Sequence, residues 1–217
     1  MINTTFSIPR KEGLNILLLG AHCDDIEIGC GGTVLKLIED YEIDHLKWVV
    51  FTSTEIRKKE ALASAKQFLG TVQNTEITIL DYKDGFLPSV WSDVKESFEQ
   101  IKNGFNPDII FTHYRNDLHQ DHRTLNELTW NTFRNHLIFE YEIPKYDGDI
   151  GNPNLFVPLD EDQIMQKNEI IQDCFKSQLD KQWFDDSLLN SMPRIRGVEC
   201  ASKNKYAEAF YTRKMII

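Results

Sequence analysis

Short uninterrupted apolar runs alternate along this chain with stretches whose apolar residues recur at helical spacing. The runs are Asn15-Ile16-Leu17-Leu18-Leu19-Gly20, Trp48 to Phe51, Ile77 to Leu80 and Asp108-Ile109-Ile110-Phe111. The first and last of these runs read as buried strands, and the other two add further strand candidates. Between and after them, Val34, Leu37, Ile38 and Tyr41, then Ala61, Ala65, Phe68 and Leu69, then Val94, Phe98 and Ile101, and finally Leu125, Leu128 and Phe133 each line one side of a helix. The first helix is expected to start near Gly31-Gly32-Thr33-Val34. Strand followed by helix, repeated, predicts an α/β fold with a mostly parallel sheet and right-handed crossovers.

The pattern changes after residue 142. Pro144, Gly148, Gly151, Pro153 and Pro158 punctuate a stretch with little periodicity, so 142–160 is expected to be a long loop. It is either a substrate wall or lid, or a surface excursion. Ile164, Ile171 and Phe175 then predict a helix over 161–177, and Ala209 to Ile217 reads as an edge strand. At 217 residues, the chain suits a single domain over 1–217 with one sizeable core.

Composition narrows the class of partner. The formal net charge is −10, and the basic residues are scattered apart from Arg57-Lys58-Lys59; such a field disfavours a nucleic-acid backbone. The triplet reads as a solvated helix face, with Arg57 close enough to a cleft to pair with a phosphate or sugar hydroxyl. No apolar stretch approaches the roughly 20 residues of a membrane span, and Met1 to Gly13 lacks the apolar centre of a signal peptide. Cys23, Cys30, Cys174 and Cys200 form no CxxC pair and read as reduced thiols. These features together point to the cytoplasm.

The candidate chemistry is concentrated in two places. Four of the six histidines lie in Ala21-His22-Cys23-Asp24-Asp25-Ile26-Glu27 and in His113-Tyr114-Arg115-Asn116-Asp117-Leu118-His119-Gln120-Asp121-His122. Each cluster follows a predicted strand, the first on a strand-to-helix loop. The carboxyl ends of strands are where open α/β sheets bind ligands, so two segments far apart in sequence can share one pocket. Two histidines and one carboxylate make a known catalytic zinc set with one position open, and His22, Asp25 and His122 supply it. Residues three apart face the same way on a helical turn, whereas neighbours diverge. Asp24 is therefore expected off the metal but near its water, where a general base belongs. His119 lies one turn before His122, and Asp121 is placed to accept a hydrogen bond from an imidazole and favour its protonated form.

Blander readings hold elsewhere. His45 and His136 have no carboxylate partner at useful spacing and read as ordinary core or surface residues. Cys23 is a soft donor beside His22, but adjacent side chains rarely reach one ion, so packing against the loop is the better reading. Gly29-Cys30-Gly31-Gly32 invites a dinucleotide-binding reading, yet the GxGxxG spacing is absent.

The two motifs resemble those of the PIG-L/LmbE family of metal-dependent N-acetylglucosamine deacetylases. Its first signature, Ala-His-Pro-Asp-Asp-Glu, corresponds to Ala21-His22-Cys23-Asp24-Asp25 with Glu27 two residues on, and its second, His-x-Asp-His, to His119-Gln120-Asp121-His122. Cys23 replaces the proline, which removes a stiff φ angle but no functional group. Arg57 and Glu60 resemble an arginine-bearing helix that faces the sugar site; Ser177-Gln178, Arg196-Gly197 and Ala207-Glu208-Ala209-Phe210 resemble C-terminal landmarks.

The resemblance implies a three-layer Rossmann-like fold, Zn2+ held by His22, Asp25 and His122, Asp24 as base, and His119 as oxyanion stabiliser oriented by Asp121. It also implies Arg57 at the substrate, an N-acetylated amino sugar or its conjugate as small-molecule partner, and a homo-oligomer. A His₂Asp set accepts several divalent ions, zinc among them. Competing readings are an amidase for another acyl group or a non-sugar amine, and a sugar- or nucleotide-binding protein without turnover.

Overall fold

The computed structural model describes residues 13–70 and 72–216. Five strands in chain order are β1 (Leu14–Gly20), β2 (Ile43–Thr52), β3 (Thr75–Tyr82), β4 (Ile109–His113) and β5 (Leu137–Tyr141). They are followed by β6 (Leu155–Leu159) and β7 (Tyr206–Tyr211). Together they form one sheet in the order β3-β2-β1-β4-β5-β7-β6. β1 to β5 pair in parallel, and β7 runs antiparallel between β5 and β6. The helices are α1 (Asp25–Asp40), α2 (Glu55–Leu69), α3 (Trp91–Lys102), α4 (Gln120–Thr132), α5 (Glu161–Cys174) and α6 (Asp186–Glu199).

Alternation along β1 shows why the sheet is the middle of three layers. Leu14, Ile16 and Leu18 pack with Ile26 and Val34 of α1, Ala61 and Phe68 of α2 and Ile171 of α5. Leu17 and Leu19 pack on the other face with Val94 and Phe98 of α3 and Leu125 and Leu128 of α4. Both faces of the strand are buried, as its uninterrupted apolar run requires.

Three expectations from the sequence need correction. First, α1 begins at Asp25, six residues before the glycines that suggested its start. Those glycines lie inside the helix because it packs so closely: a Cβ at Gly29 would overlap the Tyr141 ring, and one at Gly32 would lie 2.5 Å from Leu159 Cδ1. The glycine run is a packing device.

Second, the stretch from 142 to 160 is not all loop. Residues 155–159 form β6, which carries Pro158. Proline is tolerated there because β6 is the sheet edge and bonds to β7 alone. Third, the last strand spans Tyr206–Tyr211 rather than 209–217, and it is internal to the sheet; Ile217 itself is outside the described residues. α5 also ends three residues early, at Cys174, followed by a short helical turn at Lys176–Gln178. Nothing in the periodicity pointed to α6, whose interior Pro193 reads as a breaker.

β1 lies between β2 and β4, so the chain leaves β1 towards one side of the sheet and reaches β4 on the other. The carboxyl ends of these two strands open a crevice at the topological switch point. Among the described residues no helix is long and apolar enough to cross a membrane. The expectation drawn from Met1 to Gly13 concerns residues that, apart from Gly13, are outside those described.

Candidate metal centre

Residues 21–24 connect the end of β1 to α1. Asp24 is the residue before the helix, yet its side chain makes no capping bond; it turns instead to Arg57, whose Nη2 lies 2.9 Å from Asp24 Oδ2. Asp25 opens the helix and curls back, its Oδ2 accepting the His22 backbone N–H at 2.6 Å. Asp25 is thus the first helical residue rather than a loop residue. Cys23 is buried, its thiol donating to the Thr52 carbonyl at 3.4 Å. Burial pushes its pKa up to about 12, and its thiol is turned to the Thr52 carbonyl rather than to His22 and Asp25.

The second segment leaves β4 at His113. His119 is the residue before α4, and its Nδ1 accepts the Asp121 backbone N–H at 3.3 Å. His122 follows one turn later on the same face. Its Nδ1 lies 2.8 Å from Asp117 Oδ2, so the proton sits on Nδ1 and the Nε2 lone pair is free.

These constraints bring three donor atoms together. His22 Nδ1 is 3.1 Å from His122 Nε2 and 3.3 Å from Asp25 Oδ2, and His122 Nε2 is 3.5 Å from Asp25 Oδ2. Bonds of about 2.0–2.2 Å at tetrahedral angles put ligand atoms about 3.3–3.6 Å apart. On its far side, His22 Nε2 faces Asp84 Oδ1 at 3.0 Å and Asp121 Oδ2 at 3.3 Å. Two carboxylates there keep a proton on Nε2 and turn the Nδ1 lone pair inward. Two imidazole nitrogens and a carboxylate oxygen at these distances repel one another unless a positive charge, a proton on His22 Nδ1 or a metal ion in its place, lies among them. The residues therefore fit a metal ion.

Overlapping sets, Asp25, His113 and His122 or His22, His119 and His122, also lie close enough to share an ion. In the first, His113 Nε2 already accepts the Ala21 N–H at 3.0 Å, and the residue is wholly buried. In the second, His119 Nδ1 is engaged by the Asp121 amide.

The electrostatics follow the same layout. Burial lowers the affinity of His22 for a proton, but Asp25, Asp121 and Asp84 outweigh it and hold the imidazole pKa well above its usual value. Burial and His113 bring His122 down to about 4 against the pull of Asp25 and Asp117. Burial raises the Asp24 carboxyl; Arg57 opposes this and Asp25 adds to it. His119 is lowered by burial and by His22.

His22, Asp24, Asp25, Arg57, His119 and His122 all line one cavity of about 380 Å³, closed on another side by Ile143, Pro144, Lys145 and Tyr146 and by Gln178, Lys181 and Trp183. Two placements differ from expectation. The Asp121 carboxylate does accept near an imidazole, but that of His22; its other bonds come from the Gly85 and Leu87 amides at 2.7 and 3.1 Å, because the first turn of α4 points it at that loop. Its contact with His119 is through the backbone alone. Arg57 reaches the cavity, but its guanidinium is held by Asp24 and by Glu60 at 3.1 Å, over the Phe175 ring.

Sequence reasoning gave no role to Asp117, which holds His122, or to His113, which stacks on the His122 ring at 3.8 Å. Asp117 lay in the quoted cluster, five residues before His122; only the folded turn shows which imidazole it meets. His45 and His136 lie away from the centre, packed on Phe105 and Phe133.

The profile of the family described as PIG-L: GlcNAc-PI de-N-acetylase matches residues 17–133, just over half the chain and both histidine segments. The chain belongs to this family. Solved structures of similar fold include a conserved protein from Thermus thermophilus, at 19% identity and TM-score 0.71, covering 94% of this chain and 96% of that one. Another is the N,N'-diacetylchitobiose deacetylase from Pyrococcus horikoshii, at 23% identity and TM-score 0.67, covering 94% and 85%. A third, GalB from Pseudomonas putida, is a 4-carboxy-2-hydroxymuconate hydratase, at 15% identity and TM-score 0.71, covering 94% and 98%. The architecture is therefore that of LmbE-like deacetylases, and it is shared by a protein of different chemistry.

Proposed function

We propose that this PIG-L family member is a zinc-dependent hydrolase that removes the N-acetyl group from an amino sugar or a conjugate of one. The observation that carries this reading is the convergence of His22 Nδ1, Asp25 Oδ2 and His122 Nε2 within 3.1–3.5 Å of one another, beside Asp24 and His119 in one cavity.

His22, Asp25 and His122 would hold a divalent ion, which would supply Lewis acidity and bring the pKa of an attacking water to about 7. Asp24 takes the proton of that water. Its carboxyl is raised by burial, which brings it closer to the range a base needs, and Arg57 keeps it oriented. As the water oxygen bonds to the acetyl carbon, negative charge grows on the carbonyl oxygen. His119 meets it as a neutral N–H donor: its Nδ1 accepts a backbone amide, so its proton is on Nε2. This replaces the protonated imidazole expected from the motif. When the C–N bond breaks, Asp24 holds the proton the leaving amine requires, and acetate and amine are the products.

Amine release from free, glycosidic, phosphorylated and nucleotide-linked N-acetylglucosamine, assayed with zinc-loaded protein, tests the reading. Release from one class supports it and names the substrate; silence across fully metallated protein overturns it in favour of another acyl group, another amine or a hydratase-like activity.

A further inference from the structure

The loop from 142 to 154 supplies one wall of the cavity, through Ile143, Pro144 and Tyr146. Between them, Lys145 turns inward. Its Nζ lies 2.9 Å from Asp117 Oδ2 and 2.5 Å from Asp149 Oδ2, and 3.4 Å from the Ile143 carbonyl. Asp149 Oδ2 in turn accepts the Leu118 amide at 2.6 Å. The Lys145, Asp117 and Asp149 side chains are 14%, 2% and 6% exposed, so one ammonium balances two nearly buried carboxylates.

Asp117 is the hub of this arrangement. The same Oδ2 that meets Lys145 meets His122 Nδ1 at 2.8 Å, and Oδ1 accepts the His119 amide at 2.8 Å. One carboxylate therefore sets the tautomer of a metal ligand, fixes the backbone of the oxyanion donor and anchors the cavity wall.

We propose that Lys145 is a positioning residue that couples the 142–154 wall to the metal centre through Asp117, so that metal occupancy at His122 and the seating of this wall reinforce each other. The inference rests on the metal reading above, but not on the identity of the substrate. A carboxylate shared between an ammonium and an imidazole cannot be rearranged at one without changing its bond to the other, and such coupling is reciprocal. Partners of this kind typically alter metal affinity about 10- to 100-fold when changed.

The test needs no activity. Co2+ is bound to apo protein, its visible absorption is recorded, and amide exchange over 143–151 is followed with and without the metal. Wild type is expected to bind Co2+ and to gain protection over 143–151 on doing so. Lys145→Met is expected to shift the Co2+ bands and lose that gain, and Lys145→Arg to restore both. Asp149→Asn, which loosens the wall from the loop side and leaves the Asp117–His122 bond in place, is expected to lose the gain and to bind Co2+ more weakly than wild type. It carries the test on its own if Lys145→Met does not fold. A folded Lys145→Met protein with wild-type bands, or unchanged metal-induced protection in either variant, overturns the coupling alone. Wild type that binds no Co2+ overturns the metal reading and the coupling with it.

Discussion

On the proposed reading each histidine in the centre has a separate task, and removing them one at a time separates the tasks. His119→Ala takes away an oxyanion donor and leaves the three ligand atoms, so kcat should fall about 10²- to 10³-fold while bound metal, measured by elemental analysis, is retained. His122→Ala should lose metal and turnover together. Protons report on the ligands too. In the metal-free protein the surrounding carboxylates favour the protonated form of His22, whereas burial and His113 bring His122 down to about 4 and favour its neutral form. Because the metal takes the place of a proton on Nδ1, binding near pH 7 should release protons, seen as buffer-dependent heats in calorimetry, and affinity should fall as the pH is lowered. No dependence on the buffer would contradict this protonation of His22. The convergence of His22, Asp25 and His122 beside Asp24 could be anticipated because each segment carries its residues within one turn and both leave the carboxyl ends of strands. The partners of Asp121 and the importance of Asp117 could not, because they depend on which loops the turn of α4 faces.

At the scale of elements, packing explains what periodicity misread. Three glycines within one turn suggest a helix boundary, but here Gly29 and Gly32 let α1 lie against Tyr141, Leu159 and Glu208 of the sheet and Gly31 lets it lie against Phe68 of α2. Gly29→Ala should drive its methyl into Tyr141, whose hydroxyl is bonded to the Leu19 carbonyl at 2.6 Å. Such overpacking costs about 1–3 kcal/mol, read as a lowered denaturant midpoint. β1 and β4 were legible because burial on both faces leaves a pure apolar run, whereas β3, at the sheet edge, buries Ile79 alone and showed only through Ile77 to Leu80. Short β5 with its interior Glu140, β6 with Pro158, and α6 with Pro193 each carry a residue that ordinarily argues against the element. Their stability comes from neighbours that local sequence does not name.

Across the whole molecule, the C-terminal third is tied to the first helix by charge. Lys167 on α5 reaches Glu208 on β7 and the Ile28 carbonyl, each at 2.7 Å, and Glu208 accepts the Gly32 and Thr33 amides. Lys167→Met leaves Glu208 buried without its cation, and breaking such a pair from one side costs about 3–5 kcal/mol; urea unfolding should show it, with a smaller loss in the Lys167→Met, Glu208→Gln double variant. The same segment supplies Gln178, Lys181 and Trp183 to the cavity, so residues beyond the 17–133 family match complete the site.

On this reading the cavity works only with an ion held by His22, Asp25 and His122. Metal-free protein titrated with Zn2+, with bound metal and amine release from N-acetylglucosamine derivatives measured in the same samples, tests it most directly. The account predicts no release without metal and a rise that levels off at about one equivalent. Full release from the metal-free protein, or none at full occupancy, would contradict it.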